Sequence, residues 1–213
     1  VKISTEGSSY TPSDFSDVKI SQGLLDALQL KARSGSNEIA HIYAANSLQQ
    51  GFVYHALSQE EDDAYRVQQL YDYSQGFDVE SYLKAWEACI EQYPILRTAF
   101  DWHEELIQVI YKSGKLKYQY HDISDIASQA DRDSTIKKIQ LEDRLQGFDL
   151  SEPTLLRLHI IKQSDSYYTI LKTDHHSIAD GWSTPILWRS LHEYYDAFRV
   201  GKEVIVKEDG AYL

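Results

Sequence analysis

Apolar residues recur every three or four positions in several stretches of the chain, which is the spacing of an amphipathic helix. The strongest such pattern covers residues 79–93, where Asp78 is a suitable N-terminal cap and Pro94 ends the helix. Weaker patterns predict further helices over residues 21–33, 46–58 and 131–146, and from Ser183 onward.

Short runs rich in β-branched and aromatic residues lie between these helices and predict strands. They cover residues 64–75, 96–102, 106–112, 117–121, 155–162 and 167–174. In the helix predicted over 131–146, Ile136, Ile139 and Leu145 are expected to face inward. Helices alternate irregularly with strands whose neighbours can pair antiparallel, which favours an α/β layered sandwich over a doubly wound parallel sheet.

Residues 1–37 show weak periodicity and many Ser, Asp and Gly residues. We interpret them as an interdomain linker that packs on the domain and contains one short helix, capped by Ser21. Residues 38–213 are then one domain. The chain has no methionine, even at position 1, so we expect that it was excised from a longer protein.

The 213-residue chain has 21 Lys and Arg against 33 Asp and Glu, a net charge of −12. Such an acidic protein has no general attraction to phosphate backbones or anionic lipids, which argues against nucleic acid and membrane partners. No apolar run approaches the ~20 residues of a membrane span, and the N-terminus lacks the regions of a signal peptide. Cys89 is the single cysteine, so no internal disulfide can form, and we expect a cytoplasmic protein.

The segment 173–183, Thr-Asp-His-His-Ser-Ile-Ala-Asp-Gly-Trp-Ser, joins the last predicted strand to the last predicted helix. Adjacent strand residues point to opposite faces, so only one of His175 and His176 can enter a given cavity. Asp180-Gly181 predicts a sharp turn, after which the first N–H groups of the helix have no partner within the helix. An imidazole beside oriented N–H donors can support acyl transfer, because the ring accepts a proton from an attacking amine or hydroxyl while the donors stabilise an oxyanion.

Other interpretations of this segment remain open on the residues alone. A histidine pair at a strand end commonly packs and forms hydrogen bonds, and Asp-Gly commonly makes only a turn. A zinc site from Asp174, His175, His176 and Asp180 has weaker support, because adjacent strand histidines diverge and no cysteine pair accompanies them. There is no G-x-S-x-G motif, and Cys89 lies mid-helix on an apolar face, so any transfer would be direct between two bound substrates.

Residues 175–183, His-His-Ser-Ile-Ala-Asp-Gly-Trp-Ser, resemble the HHxxxDG core motif of condensation domains in nonribosomal peptide synthetases. Those domains belong to the chloramphenicol acetyltransferase-like superfamily. Residues 42–55 are similar to the family's first core motif, IYPLSPMQxGMLFH, and residues 93–100 to the second, RHxxLRTxF. Order and spacing agree, although residues 44–46 are Ala-Ala-Asn in place of Pro-Leu-Ser and Tyr93 stands where histidine is usual.

The resemblance implies a chloramphenicol acetyltransferase-like two-layer sandwich, with a mixed, largely antiparallel sheet flanked by helices. The family has a second lobe of similar size, which would begin where this chain stops. Residues 38–213 therefore correspond to the N-terminal lobe alone, and residues 1–37 to the linker that follows an upstream domain.

The implied reaction forms an amide bond between a peptidyl thioester on an upstream carrier domain and the amine of an aminoacyl thioester on a downstream one. By resemblance, His176 lies at the reaction centre, either as general base or as the residue that positions the amine. Gly181 lends its backbone N–H to the thioester carbonyl. No metal or nucleotide is implied, and the 4′-phosphopantetheine arms belong to the carriers. The C-terminal lobe and an adjacent adenylation domain are further expected partners. The reaction tunnel lies between the two lobes, so we expect the isolated fragment to be inactive.

Four residues have supporting roles by the same resemblance. His175 would support the loop, and Ser183 belongs to the Trp-Ser pair that separates this chain from epimerization domains. Asp180 matches a structural aspartate that pairs with an arginine, for which Arg97 is the candidate. Two alternative functions are a coenzyme A-dependent acyltransferase of the same superfamily and a noncatalytic lobe that docks carrier proteins.

Overall fold

A computed structural model describes residues 10–59, 62, 64–74 and 76–210 of the chain, so the first nine residues of the predicted linker lie outside it. The helices of this part are α1 (Gln22–Ser34), α2 (Ser47–Ser58), α3 (Val79–Gln92), α4 (Gln129–Leu145) and α5 (Ser183–Arg199). The strands are β1 (Ile39–Ala44), β2 (Arg66–Ser74), β3 (Thr98–Asp101), β4 (Ile107–Tyr111), β5 (Lys117–Asp122), β6 (Leu156–Ser164) and β7 (Tyr167–His175). Within these residues no helix combines the length and apolar character that a bilayer crossing requires.

Polar caps set the beginnings of the predicted helices. The Leu24 N–H donates to Ser21 Oγ at 3.1 Å at the start of α1, and the Ser81 N–H donates to Asp78 Oδ1 at 2.7 Å at the start of α3. Both predicted caps are therefore confirmed. Helix α3 ends just before Pro94, because the residue that precedes proline is disfavoured in helical conformation.

The strands form two sheets. The three-stranded sheet has the order β1-β4-β3 and is antiparallel throughout. The four-stranded sheet has the order β2-β7-β6-β5 and is antiparallel except for the parallel pair of β5 and β6. Strand β7, which leads into the candidate motif, therefore has a hydrogen-bonded neighbour on each side.

Strand β1 was not predicted, because its apolar residues do not alternate. The two buried isoleucines, Ile39 and Ile42, are three positions apart rather than two. The structure shows the reason. The register with β4 shifts between Ile39 and His41, and the extra residue of this bulge places the next buried side chain at Ile42 instead of at residue 41.

Helices α3 and α5 pack together over one face of the four-stranded sheet. Trp86 and Cys89 of α3, Leu191 of α5 and Ile170 of β7 belong to the same buried cluster. Burial raises the pKa of the Cys89 thiol to about 12, which keeps the thiol protonated and poorly nucleophilic. This environment agrees with the structural role that the sequence predicted for Cys89.

Helix α4 packs over the opposite face of that sheet, where Ile136 and Ile139 join a cluster with Ile161. The prediction that Leu145 faces inward was wrong, because its side chain is 76% exposed. A residue four positions after Ile139 lies on the same helix face, and that residue is the buried Asp143. The prediction for Leu145 failed because the third buried residue of α4 is a polar one, Asp143.

Residues 10–37 lie against the three-stranded sheet. Phe15, Val18 and Leu25 share a buried cluster with Ile39 and Val109, so this part of the chain contributes a core of its own. The boundary at residue 38 stays a prediction, but the described part of the linker is packed.

We predict that Leu25→Ala lowers the free energy of unfolding by about 2–5 kcal/mol, because it leaves a cavity between α1 and the three-stranded sheet. The control is Leu30→Ala on the same helix, since Leu30 is 70% exposed whereas Leu25 is 0% exposed. The control should change stability by no more than ~0.5 kcal/mol. Urea unfolding measures both, and equal effects of the two variants would show that α1 is not docked as described.

Candidate active site

The two adjacent histidines lie at the end of β7, where backbone hydrogen bonds fix both of them. The His175 N–H donates to the carbonyl of Leu155 at 3.0 Å, and the His176 N–H donates to the carbonyl of Tyr65 at 2.9 Å. His175 is only 4% exposed, whereas His176 is half-buried. The structure thus gives the two rings different environments, as the alternation of strand faces predicts.

The His176 imidazole has a defined tautomer. Its Nδ1 lies 2.6 Å from the carbonyl oxygen of Ala179, which can only accept a hydrogen bond, so Nδ1 carries the proton of the neutral ring. Nε2 then bears the lone pair, and no described residue donates to it. The Phe52 ring stacks on the imidazole with a centroid distance of 4.9 Å and an interplanar angle of 22°. The ring is therefore oriented to accept a proton at Nε2.

Unlike His176, in which Nδ1 is a hydrogen-bond donor, the His175 imidazole uses Nδ1 as a hydrogen-bond acceptor. Its Nδ1 accepts hydrogen bonds from the hydroxyl of Ser177 at 2.7 Å and from the Ser177 N–H at 3.3 Å. Burial lowers the pKa of His175 to about 4, and the neighbouring His176 and Arg66 act in the same direction. His175 is consequently a neutral residue that fixes the turn.

Asp180 lies in the turn that precedes α5. Its Oδ1 accepts hydrogen bonds from the N–H groups of Trp182 at 3.0 Å and Ser183 at 2.7 Å, and the Asp180 N–H donates to Ser183 Oγ at 2.9 Å. The hydrogen bonds from Ser183 and Trp182 keep the pKa of this exposed carboxyl below its usual value. Gly181 is exposed, and a Cβ there would meet no atom within 4 Å. Its N–H has no hydrogen-bond partner among the described residues.

The predicted pairing of Arg97 with Asp180 is wrong. The Arg97 side chain is buried, and it donates to the carbonyls of Tyr111 at 2.8 Å, Ile90 at 3.0 Å and Glu91 at 2.7 Å. It also forms an ion pair with Glu208. The reason is local, because the last carbonyls of α3 need donors and the Asp180 carboxylate is already used by the first amides of α5.

A buried ion pair near His176 was missed at the sequence level. Lys172 and Asp174 are both buried, and Lys172 Nζ bonds to the Asp174 carboxylate and, at 3.2 Å, to Gln69 Oε1. Burial raises the pKa of Asp174, and the charges of Lys172 and His176 oppose this shift. The signal was present, because Lys172, Asp174 and His176 are spaced two residues apart, which places them on one face of β7 and of the residue that follows it.

Two other residues that hold His176 were also missed, Phe52 and Tyr65. Phe52 lies on α2, far from the motif in sequence, and Tyr65 contributes its backbone carbonyl. A hydrogen bond from a main-chain group leaves no trace in residue identity, so the Tyr65 contact had no sequence signal. Phe52 falls in the apolar pattern of its helix, which predicts burial and not a contact with a histidine.

The four residues considered for zinc do not converge. The Asp174 carboxylate is engaged by Lys172, and Nδ1 of His176 is engaged by a carbonyl. Among the residues that the structure describes, no group of three or more His, Cys, Asp or Glu side chains is arranged to hold a metal ion.

We predict that acid destabilises the fold through His175. Its pKa of about 4 in the folded chain lies below the ordinary 6.5, so the unfolded chain binds the proton first as the pH falls. The free energy of unfolding should therefore drop by about 2 kcal/mol between pH 7 and pH 4.5 from this residue alone. In His175→Asn, which keeps an acceptor for Ser177, urea unfolding should show a loss smaller by that amount. Identical losses in both proteins would contradict this assignment.

We predict that Arg97 and Asp180 stabilise the fold independently. Arg97→Met should cost at least about 3 kcal/mol, because several buried carbonyls lose a charged donor. Asp180→Ala should cost about 1 kcal/mol, because the N–H groups of Trp182 and Ser183 lose their acceptor at an exposed position. The double variant should equal the sum within ~0.5 kcal/mol in urea unfolding. A coupling energy well above that value would restore the direct pairing of Arg97 with Asp180.

Comparison with known proteins places this geometry in a family. The family model described as "Condensation domain" matches residues 39–213. The chain is 36% identical over 171 residues to N-(5-amino-5-carboxypentanoyl)-L-cysteinyl-D-valine synthase of Amycolatopsis lactamdurans. The aligned region covers 79% of this chain and 5% of that protein. The chain is 32% identical over 192 residues to bacitracin synthase 3 of Bacillus licheniformis, covering 89% of this chain and 3% of that protein. The chain therefore spans only a few per cent of the length of these relatives.

Solved structures confirm the predicted fold class. The starter condensation domain of rhizomide synthetase superimposes with a TM-score of 0.70 at 18% identity, covering 80% of this chain and 43% of that one. A holo four-domain nonribosomal peptide synthetase bound to AMP and glycine gives a TM-score of 0.66 at 22% identity, covering 82% of this chain and 12% of that one. The chain thus has the fold of condensation domains, as the motifs implied. This chain belongs to the condensation domain family of nonribosomal peptide synthetases.

Proposed function

We propose that the parent protein forms an amide bond between two carrier-bound thioesters, and that this lobe supplies the reaction-centre histidine. The observation that carries the proposal is the His176 ring, half-buried, with Nδ1 bonded to Ala179 and Nε2 without a donor among the described residues. Such a ring can take one proton from an attacking amine. The family supports direct transfer, and the buried, protonated Cys89 offers no competing nucleophile.

The proposed chemistry needs only this base, a hydrogen-bond donor and two tethered substrates. The amine of the downstream aminoacyl thioester attacks the carbonyl carbon of the upstream peptidyl thioester, and a C–N bond forms. His176 Nε2 accepts the proton that the nitrogen loses. The C–S bond then breaks and the departing sulfur takes up a proton, which leaves a free thiol on the upstream carrier and an amide on the downstream one. The two phosphopantetheine arms hold the reactants together, and this proximity supplies much of the acceleration.

The turn at Asp180 and Gly181 supports the proposed site. The Gly181 N–H precedes the first turn of α5 and has no hydrogen-bond partner among the described residues, so it can donate to the developing oxyanion. Asp180 and Ser183 hold this turn through their reciprocal hydrogen bonds, and His175 holds the residues just after β7 through Ser177. These supporting residues hold the Gly181 N–H and the His176 ring in fixed positions relative to each other.

Exposed apolar residues beside the motif support the need for a second lobe. Trp182, next to Gly181, is 88% exposed, and Ile186 on α5 and Leu48 on α2 are also exposed. In the proposed parent protein this surface faces the C-terminal lobe across the tunnel, and the carrier and adenylation domains adjoin the pair. We also propose a cytoplasmic location, where the lone buried Cys89 needs no oxidising compartment.

We predict that His176→Ala in the full-length parent lowers amide formation between loaded carriers by about 10²–10⁴-fold, the usual contribution of one acid–base group. The melting temperature should be nearly unchanged, because the ring is half-buried. The control is His103→Ala, an exposed histidine that pairs with Asp101 away from the motif. Product is measured on the downstream carrier by mass spectrometry.

Two outcomes of this experiment would contradict the proposal. Full turnover by His176→Ala would show that the ring takes no part in the transfer. Turnover by residues 1–213 alone at the rate of the parent would show that the tunnel between two lobes is not required.

A further inference from the structure

Phe52 makes the principal ring contact of His176, although it lies on a different element. It belongs to α2, which begins at the reciprocal cap of Asn46 and Gln49. Its ring stacks on the imidazole with centroids 4.9 Å apart and also packs on the Tyr65 ring at 4.6 Å. Phe52 therefore contacts both the imidazole and the residue whose carbonyl holds the His176 backbone.

A single hydrogen bond does not fix the orientation of an imidazole. The bond from Nδ1 to Ala179 anchors one atom, and the second side-chain torsion of histidine is broad, so the ring can swing about that anchor. The Phe52 ring lies nearly parallel to the imidazole and blocks its rotation toward that side, because the two rings would collide. The hydrogen bond and the stacking contact together define both the position of Nε2 and the direction of its lone pair.

Proton transfer is sensitive to that direction. A base must lie within hydrogen-bond reach of the proton it accepts, and small errors in placement reduce catalysis strongly. The described structure offers no other aromatic ring in contact with His176, since Tyr65 packs on Phe52 and His55 instead. The cap at Asn46 and the contact at Phe52 thus link the start of α2 to the histidine at the end of β7.

We propose that Phe52 is a positioning residue, which holds the His176 imidazole with Nε2 directed toward the reacting amine. Its consequence for turnover rests on the proposed function, but its effect on the ring does not. Phe52→Leu keeps an apolar side chain on α2 and removes the planar surface. Phe52→Tyr keeps that surface and is the matched control.

The experiment compares these two variants by NMR and by kinetics. In histidine-labelled protein, the His176 ring protons should carry a ring-current shift from Phe52, and the ring nitrogens should report one tautomer with the proton on Nδ1. Phe52→Leu should lose the ring-current shift and show mixed tautomers, whereas Phe52→Tyr should keep both features. In the full-length parent, Phe52→Leu should lower kcat about tenfold with KM unchanged, and Phe52→Tyr should restore kcat.

The outcomes separate the two proposals. Unchanged ring signals and kcat in Phe52→Leu overturn the positioning role, and so does an equal loss of kcat in Phe52→Leu and Phe52→Tyr. Altered ring signals in Phe52→Leu, combined with full activity of His176→Ala, support the positioning role and overturn the proposed function. Urea unfolding of both variants shows whether any loss of kcat reflects a loss of folded protein.

Discussion

The register of β7 is the constraint on which the candidate site depends. The strand pairs with β2 from Tyr167 to His175 and with β6 along most of the same length. A shift of one residue would exchange the faces of all its side chains and would put His175 where His176 lies. The N–H groups of His175 and His176 donate to the carbonyls of Leu155 and Tyr65, so the register is fixed as far as His176.

Buried polar groups on both faces of β7 oppose such a shift. On one face Lys172 pairs with Asp174, and on the other the Thr173 hydroxyl donates to Asp143 at 2.5 Å. Burial alone would raise the pKa of Asp143, but hydrogen bonds from His159, Arg157, Thr173 and Gln68 hold it far below the usual value. Moving the strand would leave these charges unpaired in the interior, which costs several kcal/mol for each broken pair.

Local sequence signals predicted most elements of the fold, because their causes are local. Caps such as Ser21 and Asp78, and apolar spacing along α3, act within one or two turns. The failures came from interactions between distant segments. A bulge opposite β4 hid β1, a buried Asp143 interrupted the stripe of α4, and Arg97 bonded to carbonyls that no residue pattern marks.

In the candidate site, too, the sequence predicted the local features and missed the contacts between distant segments. The motif itself identified His175, His176, Asp180 and Gly181, because strand alternation and a turn are local properties. Phe52 stacks on the His176 ring and Tyr65 accepts from its backbone N–H, and both contacts depend on how distant segments pack against the end of β7. The carbonyl of Ala179 is local to the motif, but a main-chain acceptor leaves no trace in residue identity. Resemblance to a family indicated which histidine lies at the proposed reaction centre, whereas only the packing showed how that ring is held.

The environments of the two histidines explain why a doubled motif need not provide two bases. Burial keeps His175 neutral, and Ser177 occupies its Nδ1 from the backbone and the side chain. A second proton beside His176 would repel the charge that forms when His176 accepts one. A neutral His175 removes that repulsion and still holds the turn. Lys172 likewise pairs with Asp174, so the buried carboxylate beside the motif has a charge partner of its own.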